Sequence, residues 1–433
     1  MIKKYKNIVI GLVFTCTAMF IWAYAVYSGK ILKAEYNTVS IRLDEDEPIT
    51  QKSIEKALKN EADKKKEIPQ ITAWNCNRKS EIYCEDVYKD DFLSNEYIEN
   101  NEGYIKKEKV QVYEVYGKCN NAYPMELIYG SFLDNDDIKG CIIDRNTCYK
   151  LFGTENGVGN SILLEGDTYY VRGVADVDNP AIMIEINEEK HKFNNLELVY
   201  SNDERGSEMA EKFMIENGLG DEYVTFDCEF YGKIADKMSK IPAWVIMFFI
   251  IAKMFKSAER YKVCELSKEK IFKFVQYVCI SSIIIILTAH IAEFEFYYPV
   301  RLIPSKWSHF KFWEGRIKEL KILMQQFLYM MPYPRDIMMV QYLKESVLCS
   351  LVSCINSIIL LNHRKILSKW LTEKEEYTMF RLIKVSMIML AITLIVVLAF
   401  NIDRGYFKLT RFYPGILIIY FLFEIGSAKW LKE

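Results

Sequence analysis

The sequence predicts an α-helical membrane protein of about six transmembrane helices, with an extracytoplasmic α+β domain inserted after the first helix. Two observations predict this fold class. Residues 30–240 are rich in Asp, Glu, Lys and Asn, whereas residues 1–28 and 241–433 carry long apolar runs. A helix that crosses a bilayer needs about 20 mostly apolar residues, and several of these runs approach or exceed that length.

Six apolar segments are the predicted spans, namely residues 8–27, 241–255, 271–291, 337–361, 382–400 and 413–425. The second segment is short, and Gln341, Lys344 and Glu345 interrupt the start of the fourth. The predicted organisation is a first transmembrane helix at residues 1–28, an extracytoplasmic domain at 29–240 and a membrane domain at 241–433. An outer amphipathic segment at about 293–336 belongs to this membrane domain.

The distribution of basic residues predicts the topology. Lys3, Lys4 and Lys6 precede the first apolar segment, which favours a cytoplasmic N-terminus and places residues 30–240 outside. The basic loops 253–273 and 362–381 then lie inside, and so do both termini. The sequence Ala-Tyr-Ala at 23–25 also fits the cleavage site of a signal peptide. Both interpretations leave residues 30–240 outside the cell membrane.

Within the polar region, short helices and strands alternate. Thr50 is placed to cap a helix whose apolar face includes Ile54, Ala57 and Leu58. The stretches 67–77 and 80–88 are predicted as two strands. Residues 160–176 alternate apolar and polar residues around a turn at Gly166-Asp167, which predicts a β-hairpin.

The glycines between 153 and 159 allow two interpretations, a phosphate-binding loop or turns within the domain. A P-loop requires Gly-Lys-Ser/Thr, and this motif does not occur in the chain. We therefore interpret Gly153 as a helix stop and Gly157 and Gly159 as a turn.

The outer domain contains an even number of cysteines, which permits disulfides but fits buried free thiols equally well. They are Cys76, Cys84, Cys119, Cys141, Cys148 and Cys228.

No residue pattern indicates catalysis, a metal or a cofactor. The chain has four histidines, and none lies in a G-x-S-x-G or H-E-x-x-H motif. Cys-x-x-Cys pairs of the kind that bind zinc are also missing from the sequence. The formal net charge of −2 gives no field that would favour nucleic acid. We expect no enzymatic activity.

Residues 303–331 combine aromatic residues with an apolar helical stripe. Trp307 and Trp313 suit the membrane interface, and Ile317 and Leu323 lie opposite basic residues such as Lys318. Two interpretations fit this pattern. The helix lies on the outer leaflet, or it packs within a small outer subdomain.

Between residues 125 and 176, several short motifs follow one another in a characteristic order. They are Gly130-Ser131-Phe132, Ile142-Ile143, Leu151-Phe152-Gly153, Gly157-Val158-Gly159-Asn160-Ser161-Ile162 and Tyr170-Val171-Arg172-Gly173-Val174. In order and spacing they resemble the extracytoplasmic core domain of MacB-like and FtsX-like ABC-transporter permeases. That family retains its first helix, which favours retention over cleavage here. The C-terminal membrane half diverges from the family pattern.

The resemblance implies a bacterial permease subunit of an ABC-type export or mechanotransmission system, in the cell membrane as a multi-pass protein. A separate ABC ATPase subunit would drive it, and membrane lipids and a second permease copy would be further partners. The candidate ATPase-coupling residues lie in the inner segment 257–273 and are Arg260, Glu265, Leu266 and Ser267. The alternative function is a membrane-anchored extracellular binding or sensing protein without transport activity.

Overall fold

The computed structural model describes residues 2–44, 46–64, 68–84, 107–134, 137–177, 179–200, 206–262, 311–329 and 332–362, with isolated helical positions between 271 and 286. The chain divides into two compact units. The sheet unit comprises Glu35–Phe230 and Pro299–Met339. The helical unit comprises Met1–Ala34, Tyr231–Tyr298 and Val340–Glu433.

Helices and strands alternate through the sheet unit and give way to long helices in the helical unit. The described helices are α1 (Ile2–Glu35), α2 (Gln51–Asp63), α3 (Cys119–Ala122), α4 (Arg145–Phe152), α5 (Gly206–Asn217), α6 (Cys228–Lys262), α7 (Lys311–Tyr329) and α8 (Pro334–Asn362). The described strands are β1 (Val39–Leu43), β2 (Ile49–Thr50), β3 (Gln70–Cys84), β4 (Lys107–Tyr116), β5 (Leu127–Gly130), β6 (Gly140–Asp144), β7 (Ser161–Leu164), β8 (Asp167–Ala175), β9 (Ala181–Glu185), β10 (Lys192–Phe193), β11 (Asn195–Val199) and β12 (Tyr223–Asp227).

Ten strands form one mixed sheet in the order β12-β1-β11-β3-β4-β9-β6-β8-β5, and β7 pairs with both β3 and β8. The pairings of β3, β4, β9, β6, β8 and β7 therefore close a ring of six strands. The strands β11, β1 and β12 extend the sheet beyond this ring by antiparallel pairing. The two strands predicted at 67–77 and 80–88 are one continuous strand, β3, over Gln70–Cys84, and residues 67 and 85–88 lie outside the described residues. A bulge between Asn75 and Arg78 shifts its register against β4.

Local signals in the sequence account for several element ends. The Thr50 hydroxyl accepts a hydrogen bond from the Ser53 amide at 3.3 Å and caps α2, as predicted. Asp144 caps α4 in the same way through the Thr147 amide. The helix α4 ends at Gly153, whose φ of 71° is left-handed, and this confirms the predicted stop.

The predicted hairpin is confirmed by the antiparallel pairing of β7 with β8. Its two-residue turn is Glu165-Gly166, one residue earlier than the predicted Gly166-Asp167. Both turn residues have positive φ, 55° at Glu165 and 94° at Gly166, as tight hairpin turns require.

Three apolar clusters fill the sheet unit. The first packs the inner face of β1 and β11 against α2 and α5, with Ile41, Ile54 and Phe213 among its residues. The second surrounds Trp74 and Tyr113 between the sheet, α3 and the start of α8. The third lies inside the six-strand ring. The six cysteines of this unit are buried free thiols, which selects one of the two interpretations open from the sequence.

In the helical unit, small side chains let helices pack closely. The Ser346 hydroxyl of α8 donates to the carbonyls of Ala25 in α1 and Ala235 in α6, at 3.0 and 3.3 Å. The Trp22 indole of α1 donates to the Ser239 carbonyl of α6 at 2.8 Å. A Cβ added at Gly29 would lie 3.1 Å from the α6 backbone. Such contacts between small residues are typical of helices that associate in membranes.

The predicted fold class of an α-helical protein with about six spans is wrong. The described fold is mixed α/β, with a ten-stranded sheet, and one helix among the described residues is long and apolar enough to cross a bilayer, Pro334–Ile359 with mean hydropathy 1.3. Among the described residues, this helix coincides with the fourth predicted span. The second predicted segment continues a helix, α6, whose preceding turns carry charges such as Asp236 and Lys240.

The other predicted spans are described only in part. The segment 8–27 is helical within α1. Segment 271–291 is described at isolated positions, and segments 382–400 and 413–425 lie outside the described residues. The predicted amphipathic helix at the outer segment is α7, and none of its described side chains is buried.

Candidate functional site

The strand β1 carries a charged residue into the interior. Its sequence Val39-Ser40-Ile41-Arg42-Leu43 alternates, and side chains of a strand alternate between faces. Val39, Ile41 and Leu43 belong to the first apolar cluster, so Ser40 and Arg42 lie on the opposite face. Arg42 is nevertheless only 2% exposed. A buried cation requires charged partners, because its desolvation is otherwise too costly.

Two carboxylates, from distant parts of the chain, supply these partners. Arg42 donates from Nε to Asp336 Oδ2 at 3.1 Å and from Nη2 to Asp336 Oδ1 at 2.7 Å, in a two-bond arrangement. The same Nη2 lies 2.8 Å from Glu197 Oε1 on β11. The third nitrogen, Nη1, donates to the Ile41 carbonyl.

Arg335, the neighbour of Asp336, is fully buried and contacts three elements of the sheet unit. Its Nη2 lies 3.1 Å from Glu197 Oε2 and donates to Thr38 Oγ1 at 2.8 Å. Its Nη1 donates to Ser40 Oγ at 3.0 Å, and its Nε donates to the Asn121 carbonyl at 2.8 Å. All three nitrogens of this guanidinium therefore have an acceptor.

Glu197 is the central acceptor of the cluster. In addition to the two guanidinium groups, it accepts from the Trp74 indole at 3.2 Å and from the hydroxyls of Thr38 and Ser40. We call the four side chains Arg42, Glu197, Arg335 and Asp336 the ion network. It contains two cations and two anions, so its formal charges cancel inside the protein.

The local sequence around the ion network explains why α8 begins there. Pro334 is the first residue of α8, a position where its missing amide hydrogen costs nothing. Asp336 lies in the first turn, where a carboxylate interacts favourably with the helix dipole. Tyr333 precedes the helix and packs edge-on against the Trp74 ring at 5.0 Å.

The carboxylates of the ion network stabilise the charged form of Arg42. Burial alone would lower the pKa of Arg42, but the carboxylates of Asp336 and Glu197 outweigh it and raise that pKa above its usual range. Burial raises the pKa of the nearby Cys228 thiol, which lies 3.2 Å from Ser40 Oγ. A thiol in this state is a poor nucleophile. The arrangement provides a rigid connection between the start of α8 and two strands of the sheet.

The candidate coupling residues predicted from sequence lie elsewhere. Arg260 is in the last turns of α6, and the structure gives no description of its side chain. Glu265, Leu266 and Ser267 lie outside the described residues. Their proposed role stays a prediction.

The ion network was not predicted from the sequence. Arg42 is one of the polar residues of an alternating strand, and the face that carries such residues usually points to solvent. Arg335 and Asp336 lie at the start of a predicted span, where charged residues are expected at the membrane boundary. The one local signal was the sequence Pro-Arg-Asp at a helix start, and it does not indicate partners about 140 to 300 residues away.

Comparison with known proteins gives a partial likeness. The chain is similar to the periplasmic region of MacB from Actinobacillus actinomycetemcomitans, with 15% identity and a TM-score of 0.34, over 47% of this chain and 94% of that one. It is also similar to the extracellular domain of the ABC-type transporter YknZ from Gram-positive bacteria, with 14% identity and a TM-score of 0.29, over 44% of this chain and all of that one. No family model and no curated protein matches the chain.

Proposed function

We propose that the chain is a membrane-anchored permease subunit of an ABC-type export or mechanotransmission system, with the sheet unit on the outer side. A separate ATPase would supply the energy. The observation that carries the proposal is the ion network. It attaches the first turn of α8 to the central sheet, and α8 is the one described helix that is long and apolar enough to cross a membrane.

The physical basis of transmission is the cost of separating α8 from the sheet. Removing one partner from a buried ion pair typically costs about 3–5 kcal/mol, since the remaining charge is left without compensation. A force along α8 would therefore be transmitted to β1 through Arg42 and to β11 through Glu197. The first turn of the helix would stay folded, because these contacts hold it to the sheet.

The surface of α8 supports membrane insertion. Four serines along one side are buried, and three of them donate to backbone carbonyls four residues earlier in the helix. The opposite side exposes apolar residues at helical spacing, namely Leu348, Leu351, Val352, Ile355 and Ile359. Polar groups inside and apolar groups outside are the arrangement that suits a lipid environment.

The ATPase is proposed as a separate subunit because the chain has no Gly-Lys-Ser/Thr sequence for binding ATP phosphates. Its contact would lie in the inner segment, at Arg260, Glu265, Leu266 and Ser267. Lipids and a second permease copy are further proposed partners.

Cross-linking in native membranes tests this proposal. The tagged full-length chain should recover an ATPase with a Walker motif, identified by mass spectrometry. The double variant Arg260→Glu, Glu265→Lys should lose it, whereas Arg316→Glu on the outer helix α7 should retain it. Recovery of a functional assembly without any ATPase would contradict the proposal and would favour a membrane-anchored binding or sensing protein.

A further inference from the structure

The strand β12 presents an open edge. Within the described residues it pairs with β1 on one side and with no strand on the other. The amide of Asp44, just beyond β1, donates to the Glu222 carbonyl, whereas the amide of Leu43 donates to Asn194 on the opposite side. Backbone groups of successive strand residues point alternately to the two sides. Tyr223 and Thr225 therefore direct their N–H and C=O groups away from β1.

A groove of about 620 Å³ runs along this edge. The end of α5 forms one wall, and Gln326 of α7 contributes to the other side. Ile215 lines the groove and is 73% exposed, which leaves an apolar contact surface beside the free backbone groups. An open edge next to an apolar wall is the geometry in which an extended peptide adds to a sheet.

The described charged side chains that line the groove are acidic. Among the described residues, its lining includes the carboxylates of Glu211 and Asp221 and no Lys or Arg. Burial, followed by the charge of Glu211, raises the pKa of Tyr223, which places that carboxylate within electrostatic reach of β12. A segment that binds here would gain from basic side chains and lose from acidic ones.

We propose that the edge of β12 binds an extended, basic peptide segment of a partner protein or substrate as an additional antiparallel or parallel strand. Backbone hydrogen bonds to Tyr223 and Thr225 hold the segment. Its Lys or Arg side chains face Glu211 and Asp221, and a small apolar side chain contacts Ile215. This site does not depend on the ATPase proposed above.

Peptide binding to the full-length chain in lipid nanodiscs tests the proposal. The probes are a ten-residue peptide that alternates Lys and Val, a Glu–Val peptide of the same length, and the Lys–Val peptide N-methylated at every residue, which removes the donors of both edges. The Lys–Val peptide should bind, and isothermal titration calorimetry should detect no binding of the other two at the same concentrations. The proposal is overturned if the Lys–Val peptide fails to bind or if the Glu–Val peptide binds as well.

Two matched pairs of variants locate the site. Thr225→Pro removes the outward amide and should weaken binding about tenfold, while Thr225→Val keeps the amide and should leave binding unchanged. Glu211→Lys should weaken binding about tenfold, whereas Glu208→Lys on an exposed turn of the same helix should change it less than about twofold. Thermal unfolding of each variant checks the fold. Equal binding by the two members of either pair, with the fold intact, contradicts this location.

Discussion

Arg42 and Asp336 are joined by two hydrogen bonds across 294 positions of sequence, in a site where both side chains are almost completely buried. The pair links the strand that follows the first helix to the helix that follows the outer segment. Both residues belong to the sheet unit, although α8 continues into the helical unit. The contact between β1 and the first turn of α8 is therefore ionic, and it lies inside the sheet unit.

Removal of one partner from the ion network should strongly destabilise the sheet unit. In Asp336→Ala the Arg42 guanidinium loses both hydrogen bonds to that carboxylate, and we expect a loss of about 3–5 kcal/mol in the free energy of unfolding. Asp137→Ala is the control, because it breaks an ion pair with the exposed Arg172, and such pairs contribute about 1 kcal/mol or less. Denaturant unfolding of the purified full-length variants measures both changes. Equal losses would contradict the special role of the ion network.

Glu185 should make stability depend on pH. Burial raises the pKa of its carboxyl from 4.5 to about 8, although the Gly117 amide, which donates to Oε1 at 3.2 Å, opposes the shift. The folded protein therefore holds this proton over a range where the unfolded chain releases it. The contribution of the protonated Glu185 carboxyl to the stability of the fold is complete below about pH 4.5 and is lost as the pH rises through about 8.

The matched variant for this effect is Glu185→Gln, which keeps the shape and cannot ionise. The melting temperature of the wild type should fall relative to that of the variant between pH 5 and pH 8. The two proteins should respond alike to pH changes below about 4.5. If the melting temperatures of the two proteins changed in parallel over the whole pH range, Glu185 would have an ordinary pKa in the folded state.

The same substitution at two helical glycines should have opposite effects. A Cβ at Gly232 would lie 2.9 Å from the Leu32 carbonyl oxygen, so Gly232→Ala should push α1 and α6 apart and destabilise the helical unit. At Gly315 no atom of the described residues lies within 4 Å of the added Cβ, and Gly315→Ala should stabilise α7 by about 0.5–1 kcal/mol. Thermal unfolding in detergent compares the two. A neutral Gly232→Ala would show that these helices do not pack as closely as described.

The cysteines of the sheet unit should react only after unfolding. Burial raises the pKa of Cys76 to about 11 and that of Cys119 to about 12, so both remain protonated thiols near neutral pH. Iodoacetamide should label the six buried cysteines in denaturant without prior reduction and leave them unlabelled in the native protein. Mass spectrometry counts the labels. A need for reductant would reveal disulfides and contradict the free thiols.

Sequence reasoning succeeded where the determining interactions are local. The cap at Thr50, the stop at Gly153 and the hairpin at Gly166 each depend on residues within a few positions, and each is confirmed. It was wrong about the fold class, because apolar length did not predict that the described fold would be mixed α/β, with one described helix long and apolar enough to cross a bilayer. It also missed the ion network, since nothing near Arg42 indicates that a helix start would bring Asp336 to it.

The central claim is that the ion network transmits motion from α8 to β1 and β11. The most direct test measures the backbone of these two strands in different nucleotide states of the ATPase. Hydrogen–deuterium exchange of the full-length chain with its ATPase, with and without trapped nucleotide, reports on the backbone of β1 and β11. In the wild type, nucleotide trapping should change exchange in both strands, and Asp336→Asn should abolish that change while nucleotide binding persists. An unchanged response in Asp336→Asn would contradict transmission through the ion network.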